Sequence, residues 1–439
     1  SIEWAWPVIE PTGPLPSVIN FGLIPREQSA SEFTAHAFAD TQARFEIGQD
    51  MLREDLINPL IGNPYGVEFG ITVGDVVYDN LGLYDRHKAM MALMEIVQWN
   101  LPGNHDINFA SPDASFANET FKSHFGPTYY SFNHGNVHFV ALNNVEYAGD
   151  GKSFGNSGYR GFIPEHQLQW LAQDLANVSA SKLIVIATHI PLISEADDGL
   201  SEIYSGPNTE NFSSLLEILE PFSNIYGIAG HDTSNSWKVE VNHSHGWQGQ
   251  PWIAHTLAEV RGSGWPKGLT DARGVKDSIM EDGNPNGFYV LKFDDRNVTP
   301  DFIPFPFGPD ATQRLRITLD PPLSEIEGGS INRGTAHTDT KIVVNLFDGG
   351  IRDLVWAFID DGGAQAMTYT VRTDPFVERL ESIYQDTDSE YSPAARSAHI
   401  WEMDLPDGLG EGLHTVRIRT EDEFGQRREG AMTFEIIDQ

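Results

Sequence analysis

Apolar residues in this chain come in short bursts, and each burst stops at a polar or glycine-containing corner. Residues 33–39 are apolar up to Asp40, and residues 67–73 run up to Gly74-Asp75. Runs of this length, bounded by turn residues, predict buried strands. Between them, residues 43–58 carry Phe45, Leu52 and Leu56 at helical spacing, and residues 90–97 read as a helix face. A strand then leads through Pro102 to Gly103-Asn104-His105-Asp106. Residues 129–132 and 137–142 predict two strands joined at His134-Gly135-Asn136. Pro164 marks a helix start, with Leu168, Leu171 and Leu175 following on one face. The strand 183–187 ends at Thr188-His189, and a helix at 212–219 precedes the strand 225–229, which ends at Gly230-His231. Strands and helices alternate, and polar residues collect at the C-terminal ends of strands. That order predicts an α/β fold with its site along one sheet edge.

Residues 232–282 break the alternation, being long, polar and aromatic, with His243, His245, Trp247, Trp252, His255 and Trp265. Such a stretch is expected to be a functional or disordered loop. Beyond residue 316 the pattern becomes all-β. Asp360-Asp361-Gly362-Gly363 predicts a hairpin turn between strands at 354–359 and 367–371, and residues 414–420 return through 433–437. With 439 residues, more than one core is expected. The division is a Pro-rich strap, or the remnant of a β domain, at 1–32; a catalytic domain at 33–316; and an antiparallel β-sandwich at 317–439. Trp4, Trp6, Trp252 and Trp265 are expected to pack the strap against the loop in preference to lining a pocket.

Charge narrows the partners. Sixty-three acidic residues stand against 28 basic ones, a net −35 spread along the chain. Such a surface repels nucleic acid and anionic membranes. A phosphate ester substrate would need local positive charge, for which bound metal ions serve. With no cysteine, disulfides and thiolate metal sites are excluded, so any metal must sit on His, Asp, Asn or Gln. No apolar run approaches the ~18 residues of a membrane span. The chain opens at Ser1 without a leader, and a bacterial secreted or periplasmic location is expected of a processed form.

Five strand ends present ligand-type residues in order: Asp40-Thr41-Gln42, Gly74-Asp75, Gly103-Asn104-His105-Asp106, His189 and Gly230-His231. Divalent ions take oxygen and imidazole ligands, and two neighbouring ions need a carboxylate to bridge them. Singly, each piece has an ordinary reading: Gly-Asp is usually a turn, and His189 before Pro191 could be a core histidine. Jointly, after five apolar strands, they point to a metal centre.

The same segments resemble the calcineurin-like metallophosphoesterases, whose pattern is Asp-x-His, Gly-Asp-x-x-x-Asp, Gly-Asn-His-Asp/Glu, a lone His and Gly-His-x-His. The resemblance covers roughly residues 33–300. The stretches 126–132, 282–287 and 341–437 are similar to a bacterial branch with an extra C-terminal β domain. It implies a β-sandwich core flanked by helices (α/β/β/α) followed by an all-β sandwich. It further implies two divalent ions (Mn, Fe, Zn, Mg and Ca stay undistinguished) and a small-molecule phosphate mono- or diester hydrolysed by attack of a metal-bound hydroxide. Carried over by position, Asp75 would bridge the ions, Asp40 and Gln42 would bind the first, and Asn104, His189 and His231 the second. His105 would protonate the leaving oxygen with Asp106 holding its ring, and Asp79 would support the loop.

The chain departs from that pattern twice, both times at the first metal. Gln42 stands for a His, a change the branch tolerates, and Thr233 stands where Gly-His-x-His has its second His. Three outcomes stay open: Asp232 or a loop histidine, His255 foremost, completes the site; the site binds weakly; or the centre is mononuclear. The rival function is a non-catalytic or mononuclear binding protein on this scaffold with a decayed first site. Oligomeric state is left open.

Overall fold

The computed structural model describes residues 31–437 apart from 112–113, 150–151, 155–157, 194–207, 262–266, 278, 306–312, 324, 326–328 and 333–338. Almost all of the expected N-terminal strap, with Trp4 and Trp6, and also Trp265, lie outside the described residues.

The first thirteen strands are β1 (Glu32–Phe38), β2 (Phe69–Val73), β3 (Val97–Leu101), β4 (Tyr130–His134), β5 (Val137–Ala141), β6 (Val145–Tyr147), β7 (Tyr159–Gly161), β8 (Leu183–Ala187), β9 (Ile225–Ala229), β10 (Trp237–Val241), β11 (Trp252–Thr256), β12 (Gly287–Asp294) and β13 (Asn297–Pro304). They build two facing sheets, ordered β13-β12-β1-β2-β3 and β10-β11-β9-β8-β5-β4, plus the small pair β6-β7. The middle strands of each sheet run parallel, and β12, β13, β4 and β10 are antiparallel additions. Parallel strands covered on both faces read as continuous apolar runs, and β2, β5, β8 and β9 are buried at every position.

Three apolar layers follow. Phe33, Ala35, Ala37, Phe69 and Ile71 of one sheet meet Phe139, Val185, Tyr226 and Ile228 of the other. Helices α1 (Glu46–Leu52), α2 (Asn58–Leu60) and α3 (Tyr84–Met91), with the π-helical turn Arg53–Ile57 between the first two, cover the outside of the first sheet through Leu52, Leu56, Leu60, Met90 and Met91. Helices α5 (Glu165–Leu175) and α6 (Phe212–Leu219), which follow the short α4 (Glu119–Phe125), cover the second through Leu168, Leu171, Leu215 and Leu219. The result is the α/β/β/α sandwich.

Several local expectations needed correction. The predicted helix at 90–97 ends at Met94, because Glu95 takes a left-handed φ of 57° and Val97 opens β3. Residues 232–282 are not a structureless loop: β10 and β11 lie in them. Trp252 is buried against Phe212 and Trp247.

The remaining strands are β14 (Leu315–Asp320), β15 (Ile331–Asn332), β16 (Lys341–Leu346), β17 (Leu354–Ile359), β18 (Gln365–Ala366), β19 (Thr368–Thr373), β20 (Arg396–Asp404), β21 (Gly412–Glu421) and β22 (Arg427–Ile437). They form sheets β14-β16-β20-β19 and β15-β22-β21-β17-β18 around one apolar core. The turn at 360–363 does fold back, but β17 pairs with only the two residues of β18. The chain then crosses to β20 in the opposite sheet, so 354–359 and 367–371 are not hairpin partners. One helix, α7 (Pro375–Tyr384), is inserted, with Asp374 capping its N-terminus through the Phe376 N–H and Pro375 in its first turn.

Buried charge joins the two sandwiches. Asp348, just past β16, accepts from Tyr289 at 2.8 Å, pairs with His255 Nε2 at 2.9 Å and takes Lys238 Nζ at 3.2 Å. Nearby, His399 of β20 meets the Asp282 carboxylate at 3.0 Å. Positively charged partners hold the Asp348 carboxyl well below the usual range despite its burial.

Candidate metal centre

The C-terminal ends of β1, β2 and β3 in one sheet and of β8 and β9 in the other deliver the five segments, so the site draws on both sheets and not on a single sheet edge as expected. Loops 40–44 and 75–79 run side by side: Gln42 N–H donates to the Asp75 carbonyl at 3.0 Å, Thr41 Oγ1 to the Val76 carbonyl at 2.9 Å, and Tyr78 N–H to the Ala43 carbonyl at 3.1 Å. The backbone bends hard here. Asp40, Gln42, Asp75, Asp79 and His231 have φ of 50°, 34°, 49°, 56° and 74°. Non-glycine residues reach this left-handed region at a cost of about 1–3 kcal/mol each, and such strain gathers at functional sites. Gly74 (φ 97°) and Gly103 are needed for space. A Cβ on Gly74 would strike the His189 ring, and one on Gly103 the Asp75 carboxylate and backbone nitrogen.

His189 is the pivot. Its Nδ1 lies 2.9 Å from the Val73 carbonyl, which can only accept, so Nδ1 carries a proton. Its Nε2 faces Asn104 Oδ1 at 3.0 Å, His231 Nδ1 at 3.2 Å and Asp75 Oδ1 at 3.3 Å. Ligand atoms about 2.1 Å from a common ion stand about 3.0–3.4 Å from one another at tetrahedral or octahedral angles. The observed spacings fall in that interval. Asp75, His189 and His231 have ligand atoms mutually within 4.8 Å.

The electrostatics ask for a cation. Burial opposes a charge on His189, yet the Asp75 carboxylate and then Asp40 outweigh it, taking its pKa up to about 9. Burial and the neighbouring His189 push His231 down to about 3, leaving its ring neutral, as a metal ligand must be. Burial raises Asp40 to about 7, and among the described residues its two oxygens take only the His231 N–H, at 3.2 and 3.0 Å. Gln42 Nε2 donates to Asp75 Oδ2 at 2.5 Å while its Oε1 is buried without a hydrogen-bond partner. A buried, unsatisfied amide oxygen beside two carboxylates fits a metal ligand. The residues present therefore suit divalent ions.

The proton-handling residues differ from expectation. Asp106 does not hold His105. The short 3-10 turn at Asn104–Asp106 folds its carboxylate back onto the backbone N–H of Gly103 (2.8 Å), Val76 (3.0 Å) and Val77 (3.4 Å) and onto the Tyr84 hydroxyl (2.8 Å). It locks two site loops together, and burial raises its pKa to about 6. Asp79 orients the ring instead, its Oδ1 2.7 Å from His105 Nδ1. Burial works against charging His105, but the Asp79 hydrogen bond and the Asp75 carboxylate prevail and its pKa rises. The ring stacks on Tyr78, with centroids 4.0 Å apart.

The expected substitutes for the missing histidine are placed as follows. His255 has both ring nitrogens engaged, by the Tyr226 hydroxyl at 2.7 Å and by Asp348. His243 and His245 lie in a 3-10 turn beyond β10. Asp232 Oδ1 accepts the N–H groups of Ser234 and Asn235, both at 3.0 Å, capping its own turn.

Residues 255–427 match the family described as the C terminal of calcineurin-like phosphoesterase. Over that stretch the chain is similar to the C-terminal region of the calcineurin-like phosphoesterases.

Two solved structures similar to it are a purple acid phosphatase from yellow lupin seeds (13% identity, TM-score 0.41, covering 63% of this chain and 52% of that one) and a putative 5'-nucleotidase from Staphylococcus aureus (13%, 0.35, 62% and 53%). This chain thus spans about half the length of each. CopC from Methylosinus trichosporium OB3b matches at 12% identity and TM-score 0.16, over 28% of this chain and 96% of that one. No curated protein matches.

Two supports of this site carried no expectation from sequence. Asn144 Oδ1 receives the N–H of His189 (3.2 Å) and Ile190 (3.1 Å), fixing the loop that presents the pivot. Tyr159, from β7, sets its ring 5.9 Å from His231. Asn143-Asn144 directly after an apolar strand was the available signal for the first.

Proposed function

We propose that this protein hydrolyses phosphate esters at a metal centre held by Asp75, Asn104, His189 and His231, with Asp40 and Gln42 on its other side. The convergence of four ligand atoms beside His105, itself oriented by Asp79, carries the reading. Divalent ions bound there supply Lewis acidity and bring the pKa of water towards roughly 7. His105, its ring oriented by the Asp79 carboxylate 2.7 Å from Nδ1, is placed to give a proton to the leaving oxygen. Asp106 and Asn144 keep the loops in register.

The halves differ in ligand chemistry. One offers two imidazoles, an amide oxygen and a carboxylate, suited to a borderline ion such as Zn, Mn or Fe. The other offers only oxygen, from Asp40, Gln42 and Asp75, suited to a harder or more weakly held ion. Thr233 is the one observation favouring a mononuclear or merely binding protein. The acidic, cysteine-free surface supports export from a bacterial cell.

The test is hydrolysis of 4-nitrophenyl phosphate and of bis(4-nitrophenyl) phosphate by metal-loaded protein. Asn104→Ala and His105→Ala should each lower kcat at least about 100-fold with folding intact. Full activity in both variants refutes the assignment. Tight metal binding without turnover of either ester selects the binding-protein reading.

A further inference from the structure

In a chain with 63 acidic and 28 basic residues, exposed cations are normally claimed by neighbouring carboxylates. Around this site Arg53 and Arg86 share Asp50, and Arg160 pairs with Glu146 and Glu210. Arg44 breaks the rule. Its backbone is fixed, since its carbonyl accepts from Asn80 Nδ2 at 3.2 Å. Its guanidinium makes no hydrogen bond or ion pair among the described residues. It lies 5.2 Å from the Tyr78 ring centroid and 5.6 Å from that of Phe45.

Tyr78 is the residue on which His105 stacks. The two successive separations, 5.2 and 4.0 Å, set an upper limit of about 9 Å between the Arg44 guanidinium and the His105 ring. A cation on an aromatic face keeps the edges of its planar fork free to bind carboxylate or phosphate oxygens. Phe45 is 61% exposed beside it, giving an apolar wall at the same rim.

We propose that Arg44 is an anion subsite for the leaving-group side of the substrate. It selects phosphate esters whose leaving group carries a second anionic group, carboxylate or phosphate, one aromatic-ring width from the scissile oxygen. Placed within about 9 Å of His105, the subsite would orient the ester so that the leaving oxygen, and not a non-bridging one, meets the proton donor. It also gives a repellent protein surface a local attraction for its substrate. This assignment rests on the phosphate-ester reading above, and its test is chosen to be independent of turnover.

The probes are two aryl phosphonates of the same shape, 4-carboxyphenylphosphonate and 4-nitrophenylphosphonate, titrated calorimetrically into metal-loaded protein. The wild type should bind the carboxylate compound about tenfold tighter at low salt, with the preference shrinking as salt rises. Arg44→Ala should abolish the preference without changing affinity for the nitro compound by more than about twofold. Arg44→Lys should retain part of the preference, since charge survives but the fork is lost. Equal affinity of wild type for the two probes, no binding of either, or equal weakening of both by Arg44→Ala overturns the proposal. Loss of the hydrolytic reading would show separately, as absent turnover of 4-nitrophenyl phosphate by protein that still binds the probes.

Discussion

Gly103 offers a one-atom perturbation of the site. Its φ of −106° suits any residue, so Gly103→Ala adds no backbone strain. What it adds is a methyl group on top of the Asp75 carboxylate and backbone nitrogen. Asp75 is fully buried and also bears the His105 N–H, at 2.9 Å, so it cannot swing clear into solvent. Restoring an ordinary contact moves Asp75 by about 1 Å, and misplacement on that scale costs on the order of 100-fold in rate. Overpacking of this kind also costs about 1–3 kcal/mol of stability. The assay is kcat for 4-nitrophenyl phosphate at saturating metal, with bound metal measured by atomic emission and stability by urea unfolding. Gly363→Ala serves as control, because a Cβ there meets nothing within 4 Å. Retention of wild-type metal content and rate in Gly103→Ala would refute the claim that Asp75 is a ligand held by close packing against Gly103.

Calorimetric titration of Zn²⁺ into metal-free protein should show one tight equivalent, abolished by His231→Ala, and a weaker second that Thr233→His strengthens about tenfold. Asp348→Ala strands Lys238, His255 and Tyr289 in the junction and should lower unfolding free energy by about 3–5 kcal/mol in guanidinium titrations. His87 is buried with both ring nitrogens lacking a partner, and burial lowers its pKa to about 4. Its unfolded value lies higher, near 6.5, so the unfolded chain takes up the proton first and stability falls as pH drops from about 6.5 to 4. His87→Leu should flatten that slope by about one proton in urea melts between pH 7.5 and 4.5; an unchanged slope would show that His87 titrates normally.

The metal ligands were legible because each follows an apolar run, and such runs are parallel strands of the two facing sheets whose C-terminal ends supply the site. Asp40, Gln42, Asp75, Asn104, His189 and His231 all arrive there. The partner of His105 was not legible in the same way. Asp106 is its neighbour in sequence, but a tight 3-10 turn directs that carboxylate into the backbone amides of two loops. Asp79, 26 residues away, reaches the ring only because loop 75–79 is clamped beside it. The Gly-Asp-x-x-x-Asp spacing contained the signal without stating its target. His255 looked like a spare loop ligand because its claimant, Asp348, lies 93 residues on, in the other sandwich. The strands β10 and β11 were obscured by the tryptophans and histidines that crowd residues 237–256 and that serve packing.

The central claim is that Asp75, Asn104, His189 and His231 surround one ion. Anomalous diffraction from crystals grown with Mn²⁺, recorded on both sides of its absorption edge, tests it directly. The account predicts a peak about 2.0–2.3 Å from Asp75 Oδ1, Asn104 Oδ1, His189 Nε2 and His231 Nδ1, with any second, weaker peak on the Asp40–Gln42 side. No peak at that position under saturating metal, or a peak held by other residues, would contradict it.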